Sequence, residues 1–201
     1  MSPQVATAKR MSAPERHEQL LDVTKAIVAE RGFHAVSIEA VARAAGITRP
    51  VVYGHFEDLG GLLEALVERE TKRALVQLAR VLPREFSGGD FREHMLAGLE
   101  GYLAAAQADP DTWRLVLMPP EGAPAVLRER IARGRGQVIS QLVEAVRPGF
   151  GPGRESPDPE LTARMLSAFS DEAVRLLLTD AGRYPPERIL AHARWSLDQL
   201  S

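Results

Sequence analysis

The sequence has no cysteine among its 201 residues, which excludes disulfide bonds, thiolate metal sites and thiol nucleophiles. It also has no uninterrupted apolar run close to the roughly 20 residues that a membrane-spanning helix needs. Residues 1–10 lack the apolar stretch of a secretory signal. These absences predict a soluble, cytoplasmic protein with no membrane association.

The β-branched residues that strands favour are also few. Valine and isoleucine number 22, whereas alanine and leucine, which favour helices, number 52. Hydrophobic residues make up 45% of the chain and charged residues 26%, which is ordinary for a folded globular protein. The length suits one large domain or two small ones. We therefore expect an all-α protein.

The net charge of −2 neither indicates nor excludes a nucleic-acid partner, so the distribution of charge matters more than its sum. Residues 1–56 hold 7 Lys and Arg against 5 Asp and Glu, and the remainder holds 18 against 22. This excess of positive charge at the N-terminal end is small. It indicates DNA binding only if a motif lies there.

The first predicted helix begins at a capping signal. Ser12 and Glu15 stand three residues apart with Pro14 between them, which is the pattern of a capping box. An apolar helical period follows and ends near Arg31. Gly32 comes next, where a helix often ends on a left-handed glycine.

Two short helices are predicted after this one. Ser37 caps a helix over residues 38–45, and Gly46 ends it. Thr48 caps another helix that runs to about His55. Two short helices joined by a tight glycine turn are the central observation in the sequence.

The remaining sequence predicts further helices separated by breaks rich in proline and glycine. The predicted helices cover residues 58–83, 91–108, 110–117, 126–146, 160–179 and 186–200. Irregular connections are expected at 87–90, 118–122 and 148–159.

Residues 38–57 satisfy the constraints of a helix-turn-helix. Ala42 is small where two helices cross closely, and Gly46 permits the positive φ of the turn. Apolar contacts between the helices come from Val41, Ala45, Ile47 and Val52. The second helix of such a unit enters the major groove, and its N-terminal residues face base edges.

This pattern resembles the DNA-binding domain of TetR-family transcriptional repressors, over about residues 16–66. The resemblance lies in Gly-Phe-His-Ala-Val-Ser-Ile at 32–38, Val-Ala at 41–42, Ala-Gly-Ile-Thr-Arg-Pro at 45–50, Val-Tyr at 52–53, His-Phe at 55–56 and Leu-Leu at 62–63. One departure is visible. The family often places a lysine at the start of the fourth helix, where this chain has Leu-Gly-Gly at 59–61. A phosphate contact is therefore expected to be missing there, with Lys9, Arg10 or Arg43 in position to compensate.

Carried over to this sequence, the resemblance implies a set of DNA contacts. Phosphate contacts are implied for Ser37, Thr48, Tyr53 and His55, groove contacts for Arg49 and Pro50, and Arg43 is a further candidate. Hydroxyls and imidazoles bind phosphate oxygens, whereas an arginine can bind guanine in the major groove. For Ser37 and Thr48 the alternative is a helix cap alone. Whether Arg49 contacts a base or a phosphate stays open.

The resemblance also implies a C-terminal helical domain that binds a small effector and forms a dimer. Candidate effector contacts are Met95, Leu99, Tyr102, Trp113, Leu117, Met118 and Phe169, which are large or adaptable residues on the central helices. Candidate dimer contacts are Leu161, Met165, Phe169, Leu176, Ile189, Ala193 and Leu197, which form apolar stripes on the last two helices. Burial in an ordinary core is the alternative for every one of them.

No catalytic constellation is present in the sequence. The five histidines are scattered, and there is no helical histidine pair for zinc, no Gly-x-Ser-x-Gly and no phosphate-binding glycine loop. Glu93 and His94 are adjacent, and neighbouring positions on a helix point in different directions. We therefore expect no enzyme activity, no metal and no cofactor.

The resemblance implies a ligand-responsive repressor that binds a palindromic operator in double-stranded DNA as a homodimer and is released by a small-molecule effector. The expected organisation is a flexible arm at 1–11, a DNA-binding domain at 12–57 and a ligand-binding and dimerisation domain at 58–201. Two alternatives stay open: a DNA-bound scaffold controlled by a protein partner, and an enzyme on this fold. The sequence leaves the effector, the operator and the choice between repression and activation undetermined.

Overall fold

A computed structural model of the chain describes residues 11–81, 91–119, 123–148 and 156–199. Within these ranges the chain forms nine α-helices and no strand, so the expected all-α fold is confirmed. The helices are α1 (Ala13–Arg31), α2 (Ile38–Ala44), α3 (Arg49–Tyr53), α4 (Leu59–Val81), α5 (Phe91–Ala108), α6 (Pro110–Leu117), α7 (Ala125–Val146), α8 (Pro159–Thr179) and α9 (Pro186–Gln199). None of these described helices has both the length and the apolar character to cross a membrane.

The chain divides into two compact units, Met1–Leu66 and Val67–Ser201. The division falls inside α4, so this helix contributes residues to both units. Four predicted features lie wholly or partly outside the described residues: residues 1–10 of the arm predicted at 1–11, the loop at 87–90, residues 120–122 of the second connection and residues 149–155 of the third.

The start of α1 has the predicted capping box. The backbone N–H of Ser12 donates to Oε2 of Glu15 at 2.7 Å, and the N–H of Glu15 donates to Oγ of Ser12 at 3.4 Å. At the other end, Gly32 has the expected positive φ of 79°, but its ψ of 172° is extended, so the prediction of a left-handed cap was wrong. The N–H of Gly32 still bonds to Val28 O at 2.9 Å, and the extended ψ leads the chain into a short 3₁₀ turn at Phe33–Ala35.

The turn between α2 and α3 depends on Gly46. Its φ is 67°, a conformation that side chains other than glycine rarely adopt. The N–H of Ile47 then donates to Ala42 O at 2.9 Å and closes the turn. The core of this first unit includes Leu20, Leu21, Ile27, Val28, Phe33, Val41, Val52, Phe56, Leu62 and Leu66.

In the second unit, α5 packs against α8 and α9, and α7 packs against α8. The core between them includes Leu99, Leu103, Ala106, Val174 and Leu177. The rings of Tyr102 and Trp113 meet edge to face there, with centroids 4.8 Å apart. Such a ring pair adds stability beyond the area that it buries.

A chain of buried and half-buried polar groups links α6 to α4. Glu70 on α4 is 0% exposed and contacts the hydroxyl of Thr112 on α6. That hydroxyl lies 2.9 Å from Oδ2 of Asp109, to which Nε2 of Gln77 donates at 3.3 Å. Oε1 of Gln77 accepts from Nε1 of Trp113 at 2.7 Å. These contacts place the Trp113 ring in the centre of the unit.

Two helical glycines allow a matched test of packing. A β-carbon at Gly101 on α5 would lie 2.7 Å from Cβ and Cγ1 of Val81, whereas one at Gly136 on α7 would meet nothing within 4 Å. We expect Gly101→Ala to lower the free energy of unfolding by about 1–3 kcal/mol because the core must shift to admit the methyl group. We expect Gly136→Ala to raise it by up to about 1 kcal/mol, since alanine is the better helix former.

Urea unfolding of both variants measures these changes. A stability gain in Gly101→Ala as large as that in Gly136→Ala would contradict the close approach of α4 and α5.

Candidate nucleic-acid interface and ligand cavity

The predicted DNA-contact residues form one group on α2, α3 and the segments that flank them. Six of the seven are exposed and His55 is half-buried. The exposed six are Ser37, Arg43, Thr48, Arg49, Pro50 and Tyr53. The surface therefore presents hydroxyls, two guanidinium groups and an imidazole, which are the side chains that bind phosphates and base edges.

The two capping residues of this group differ. Oγ of Ser37 accepts from the N–H of Ala40 at 3.1 Å and therefore serves as the cap of α2. Thr48 occupies the cap position of α3, but its side chain makes no capping bond, so that part of the prediction was wrong. The hydroxyl of Thr48 is consequently available to another acceptor or donor.

The two arginines of this group differ in their ion pairing. Nη2 of Arg43 lies 3.1 Å from Oε1 of Glu39 in an exposed pair one turn apart on α2. No ion pair within the described residues holds Arg49, which stands at the first position of α3. Exposed pairs of the Arg43 kind contribute little free energy and break easily. Arg49 therefore reaches outward without first losing a partner.

A ring cluster supports the end of the motif. Phe56 is buried, and its ring centroid lies 4.6 Å from that of His17 on α1. The His55 ring lies 6.2 Å from His17 and 6.5 Å from Phe56. The sequence analysis missed His17, because its position on α1 carries no motif signal. Its ring limits the positions that His55 can take.

Two adjoining cavities, of about 50 and 60 Å³, lie in the second unit. They share the walls formed by Leu78, Tyr102, Val138, Ser167 and Asp171. Five of the seven predicted effector contacts line them, namely Met95, Leu99, Tyr102, Trp113 and Leu117. Met118 and Phe169 line neither cavity: Met118 lies just after α6, with Sδ 3.8 Å from Oγ1 of Thr179, and Phe169 is exposed on α8.

The shared wall carries a polar group that the sequence analysis missed. The hydroxyl of Tyr102 donates to Oδ1 of Asp171 at 3.1 Å, and Nη2 of Arg135 donates to Oδ2 at 2.9 Å. Burial raises the pKa of Asp171, with Arg135 acting in the opposite direction. Burial and the nearby Asp171 charge raise the pKa of Tyr102 well above its usual range, so the phenol keeps its proton. The sequence signal that could have revealed this polar group was Asp171 itself, the single aspartate among the apolar residues of α8.

The predicted dimer contacts divide between surface and core. Leu161, Met165 and Phe169 lie four residues apart on α8 and are 54%, 66% and 44% exposed. Ile189 and Ala193 on α9 are only 8% and 3% exposed and belong to the core of the unit. They have no surface to offer a second subunit, which corrects the expectation for them.

The other predicted contacts, Leu176 and Leu197, are half-buried. The large exposed apolar side chain on α9 is instead Trp195, which is 58% exposed and stacks on His192 with ring centroids 5.5 Å apart. The apolar period of α9 did not include Trp195, so its exposure could not be read from that pattern.

The model of the family described as "Bacterial regulatory proteins, tetR family" matches residues 20–66, which include the whole helix-turn-helix. These residues therefore form a DNA-binding domain of the TetR family.

The TetR-family match continues beyond this domain in curated relatives. The chain is 27% identical over 107 residues to the HTH-type transcriptional activator FasR of Mycolicibacterium smegmatis, a match that covers 53% of this chain and 48% of FasR. The chain thus spans about half the length of the curated relatives that it matches.

Solved structures of transcriptional regulators resemble the chain over nearly all its length. A TetR-like transcriptional regulator from Rhodococcus sp. RHA1 has a TM-score of 0.71 at 22% identity, covering 92% of this chain and 94% of that one. FadR of Bacillus subtilis in complex with stearoyl-CoA has a TM-score of 0.67 at 17% identity, covering 92% and 97%. At these identities the similarity establishes the fold.

The raised pKa of Asp171 predicts a pH-dependent contribution to the stability of the protein. Because the folded chain binds this proton more tightly than the unfolded chain, the contribution is largest below the unfolded pKa and is lost as the pH rises through the folded pKa. Asp171→Asn removes this dependence. We therefore expect the stability of Asp171→Asn relative to the natural chain to increase from pH 4 to pH 8.

Urea unfolding across this pH range measures the difference. Glu172→Gln, at an exposed neighbouring carboxylate, controls for the loss of one charge on α8. A relative stability that falls with rising pH would mean that Arg135 stabilises the carboxylate more than burial penalises it.

Proposed function

We propose that this TetR-family protein is a ligand-responsive repressor that binds a palindromic operator as a homodimer. The observation that carries the proposal is the exposed polar surface of α2 and α3, with Arg49 unpaired among the described residues at the start of the second helix. In a dimer the two α3 helices would enter successive major grooves, about 34–36 Å apart. Its relatives bear the names of regulators, and we propose no catalytic role.

Within this surface, the side chains take different roles. We assign Arg49 and Pro50 to the major groove because they occupy the first turn of α3. Ser37, Thr48, Tyr53 and His55 bind phosphate oxygens, which fixes the register of α3 on the duplex. Arg43 adds positive charge beside them after release from Glu39.

The groove and phosphate roles predict different effects of substitution. Arg49→Ala should weaken operator binding about 10-fold or more and leave binding to random DNA nearly unchanged, because a base contact is worth about 1–3 kcal/mol of discrimination. Tyr53→Phe should weaken binding to both DNAs by a similar, smaller factor, because a phosphate contact carries no sequence information.

Fluorescence anisotropy on the operator and on a random duplex, at two salt concentrations, measures both variants. Arg31→Ala, at the end of α1, is the control for the loss of an exposed arginine in the same unit. Equal losses on both DNAs for Arg49→Ala would assign Arg49 to a phosphate and overturn its groove role.

For the dimer, we propose the exposed α8 stripe of Leu161, Met165 and Phe169, with Trp195 of α9 beside them in the interface. Large apolar side chains in a row at four-residue spacing form one face of a helix. A two-fold axis would pair this face with itself and remove these side chains from water.

The stripe predicts the effect of a charge within it. Met165→Glu should convert the dimer to a monomer at micromolar concentration, because a carboxylate would be buried opposite its own copy. Val76→Glu is the matched control, since Val76 is an exposed apolar residue on α4. Sedimentation velocity measures both. A Met165→Glu protein that stays dimeric would place the interface elsewhere.

For the effector, we propose the two cavities around Tyr102. The complex of Bacillus subtilis FadR with stearoyl-CoA supports the capacity of this fold to hold a ligand. Trp113 lines the second cavity and bonds to Gln77 of α4, while Thr112 beside it contacts Glu70. A ligand that displaces Trp113 therefore acts on α4. It lowers operator affinity by the difference between its affinities for the two arrangements.

A further inference from the structure

A groove of about 300 Å³ runs along α4 and α7 beside the central cavities. It shares Thr71, Leu75 and Gly134 with the second cavity. These shared residues form the wall between the groove and the cavity, so a displacement of the Leu75 side chain would open the groove to the interior. We call this groove, lined by residues of α4 and α7, the basic mouth.

The charges of the basic mouth are mostly positive. Lys72, Arg130 and Arg133 line it, against one carboxylate, Glu68. Nη2 of Arg130 lies 3.3 Å from Oε2 of Glu68, so one cation is already paired. Among the described residues no ion pair involves Lys72 or Arg133. An excess of positive charge at the edge of a concave site attracts anions.

The guanidinium group of Arg130 also has a buried nitrogen without a partner. Its Nε is buried and has no hydrogen-bond partner in the described part of the chain. A buried N–H without an acceptor is unfavourable, and such groups in folded proteins call for an explanation. An anionic group bound in the basic mouth would supply acceptor oxygens next to this guanidinium.

The interior behind the mouth has no such excess of charge. Asp171 and Arg135 neutralise each other at 2.9 Å, and most of the other walls are apolar, including Leu78, Val138 and Leu142. A hydrocarbon chain suits this interior, whereas a second charge would have to be buried there without a partner. The interior and the mouth therefore favour different parts of one molecule.

Gly134 stands where the two parts meet. It is buried in the middle of α7, and a β-carbon there would lie 3.4 Å from Cδ2 of Leu75. Glycine is unfavourable inside a helix. Because Gly134 has no side chain, the Leu75 side chain fills this space by itself, and its rotation would join the basic mouth to the cavity.

We propose that the effector is an amphipathic anion, with a hydrocarbon chain in the central cavities and a carboxylate or phosphate group in the basic mouth. This inference rests on the effector site proposed above and names its ligand class. Arg130 and Arg133 lie within about one helical turn of Gly134, so a chain that passes the glycine leaves its charged end beside them.

The test measures the affinity of ligands that share a ten-carbon chain and differ in charge. The probes are decanoate, decanoyl-CoA, 1-decanol and decyltrimethylammonium, with free CoA as the anion without a chain. Trp195→Phe leaves the cavity residue Trp113 as the one tryptophan, so its fluorescence reports binding. We expect an anionic chain to bind at least about 10-fold more tightly than decanol, and decyltrimethylammonium and free CoA to bind weakly. Decanoate and decanoyl-CoA separate a carboxylate from a phosphate-bearing head.

Substitutions of the cations in the basic mouth test whether these residues bind the anionic group. Lys72→Ala and Arg133→Ala should each weaken binding of the anionic chain about threefold, and about 10-fold together, since exposed charge pairs are individually weak. Binding of decanol should not change. Arg147→Ala, an exposed arginine at the end of the same helix and outside the groove, should leave both affinities unchanged. Salt should weaken anion binding in the natural chain more than in the double variant.

Three results would overturn the inference. Decanol that binds as tightly as the anions, unaffected by the mouth variants, would show that the charge has no role. Preferred binding of decyltrimethylammonium that Asp171→Asn abolishes would make the ligand a cation. Free CoA that binds as tightly as decanoyl-CoA would show that the chain has no role.

Operator anisotropy separates this inference from the proposed function. If the natural chain binds its operator and no anionic chain binds at Trp113, the ligand class is wrong and the DNA-binding role stands. If an anionic chain binds through the mouth and no operator is bound with or without it, the ligand class stands and the repressor role fails.

Discussion

The buried carboxylate of Glu70 is the constraint on which the second unit depends. A charged group with no exposure must be satisfied by neighbours, and here they lie on two helices: Nε of Arg69 on α4 lies 2.8 Å from one carboxylate oxygen, and Thr112 of α6 contacts the other. Thr112 of α6 meets Glu70, and Gln77 of α4 meets Trp113 of α6 two turns farther along. Sliding or turning α6 against α4 would break the contacts of Thr112 and Trp113 with α4, whereas Glu70 would keep its pair with Arg69. These two contacts therefore favour the observed arrangement of the two helices.

The contacts between α4 and α6 help to explain why the cavities are bordered mainly by apolar side chains. Trp113 is fixed by its N–H at one edge while its ring lies edge to face with Tyr102, and Tyr102 in turn donates to Asp171. The polar groups of the interior thus satisfy one another, and the open space is bordered mainly by apolar side chains. The proposed ligand would enter without having to break the Asp171 pair with Arg135. Its free energy of binding would come from apolar contact inside and from charge at the basic mouth.

Much of the fold followed from local sequence signals. Capping residues, glycines and apolar periods placed the ends of all nine described helices within about two residues, because these features act over a single turn. The backbone of Gly32 was misjudged, since the same glycine permits both a left-handed and an extended ψ.

The site was predictable where it is local in the sequence and not where it depends on tertiary contacts. The residues of α2 and α3 share one surface because they are close in the chain. The apolar stripe of α9 did not reveal that Ile189 and Ala193 face the core of their own subunit. An apolar period identifies the face of a helix that is buried, but it does not show which surface covers that face. The pairing of Asp171 with Tyr102 joins residues 69 positions apart, and no spacing rule reports it.

The short length of α3 bears on how the regulator finds its site in a genome. Arg49–Tyr53 is one and a half turns of helix, so few side chains can meet base edges in each half-site. A recognition helix with so few base contacts also binds many unrelated sites among the roughly 10⁶ or more competing positions of a chromosome. The two-fold symmetry of the proposed dimer would double the number of base contacts. The recognised DNA sequence would then be longer although α3 is not. In the proposed dimer, a change of one base pair in the operator would then cost only part of the binding free energy, and partial occupancy would remain.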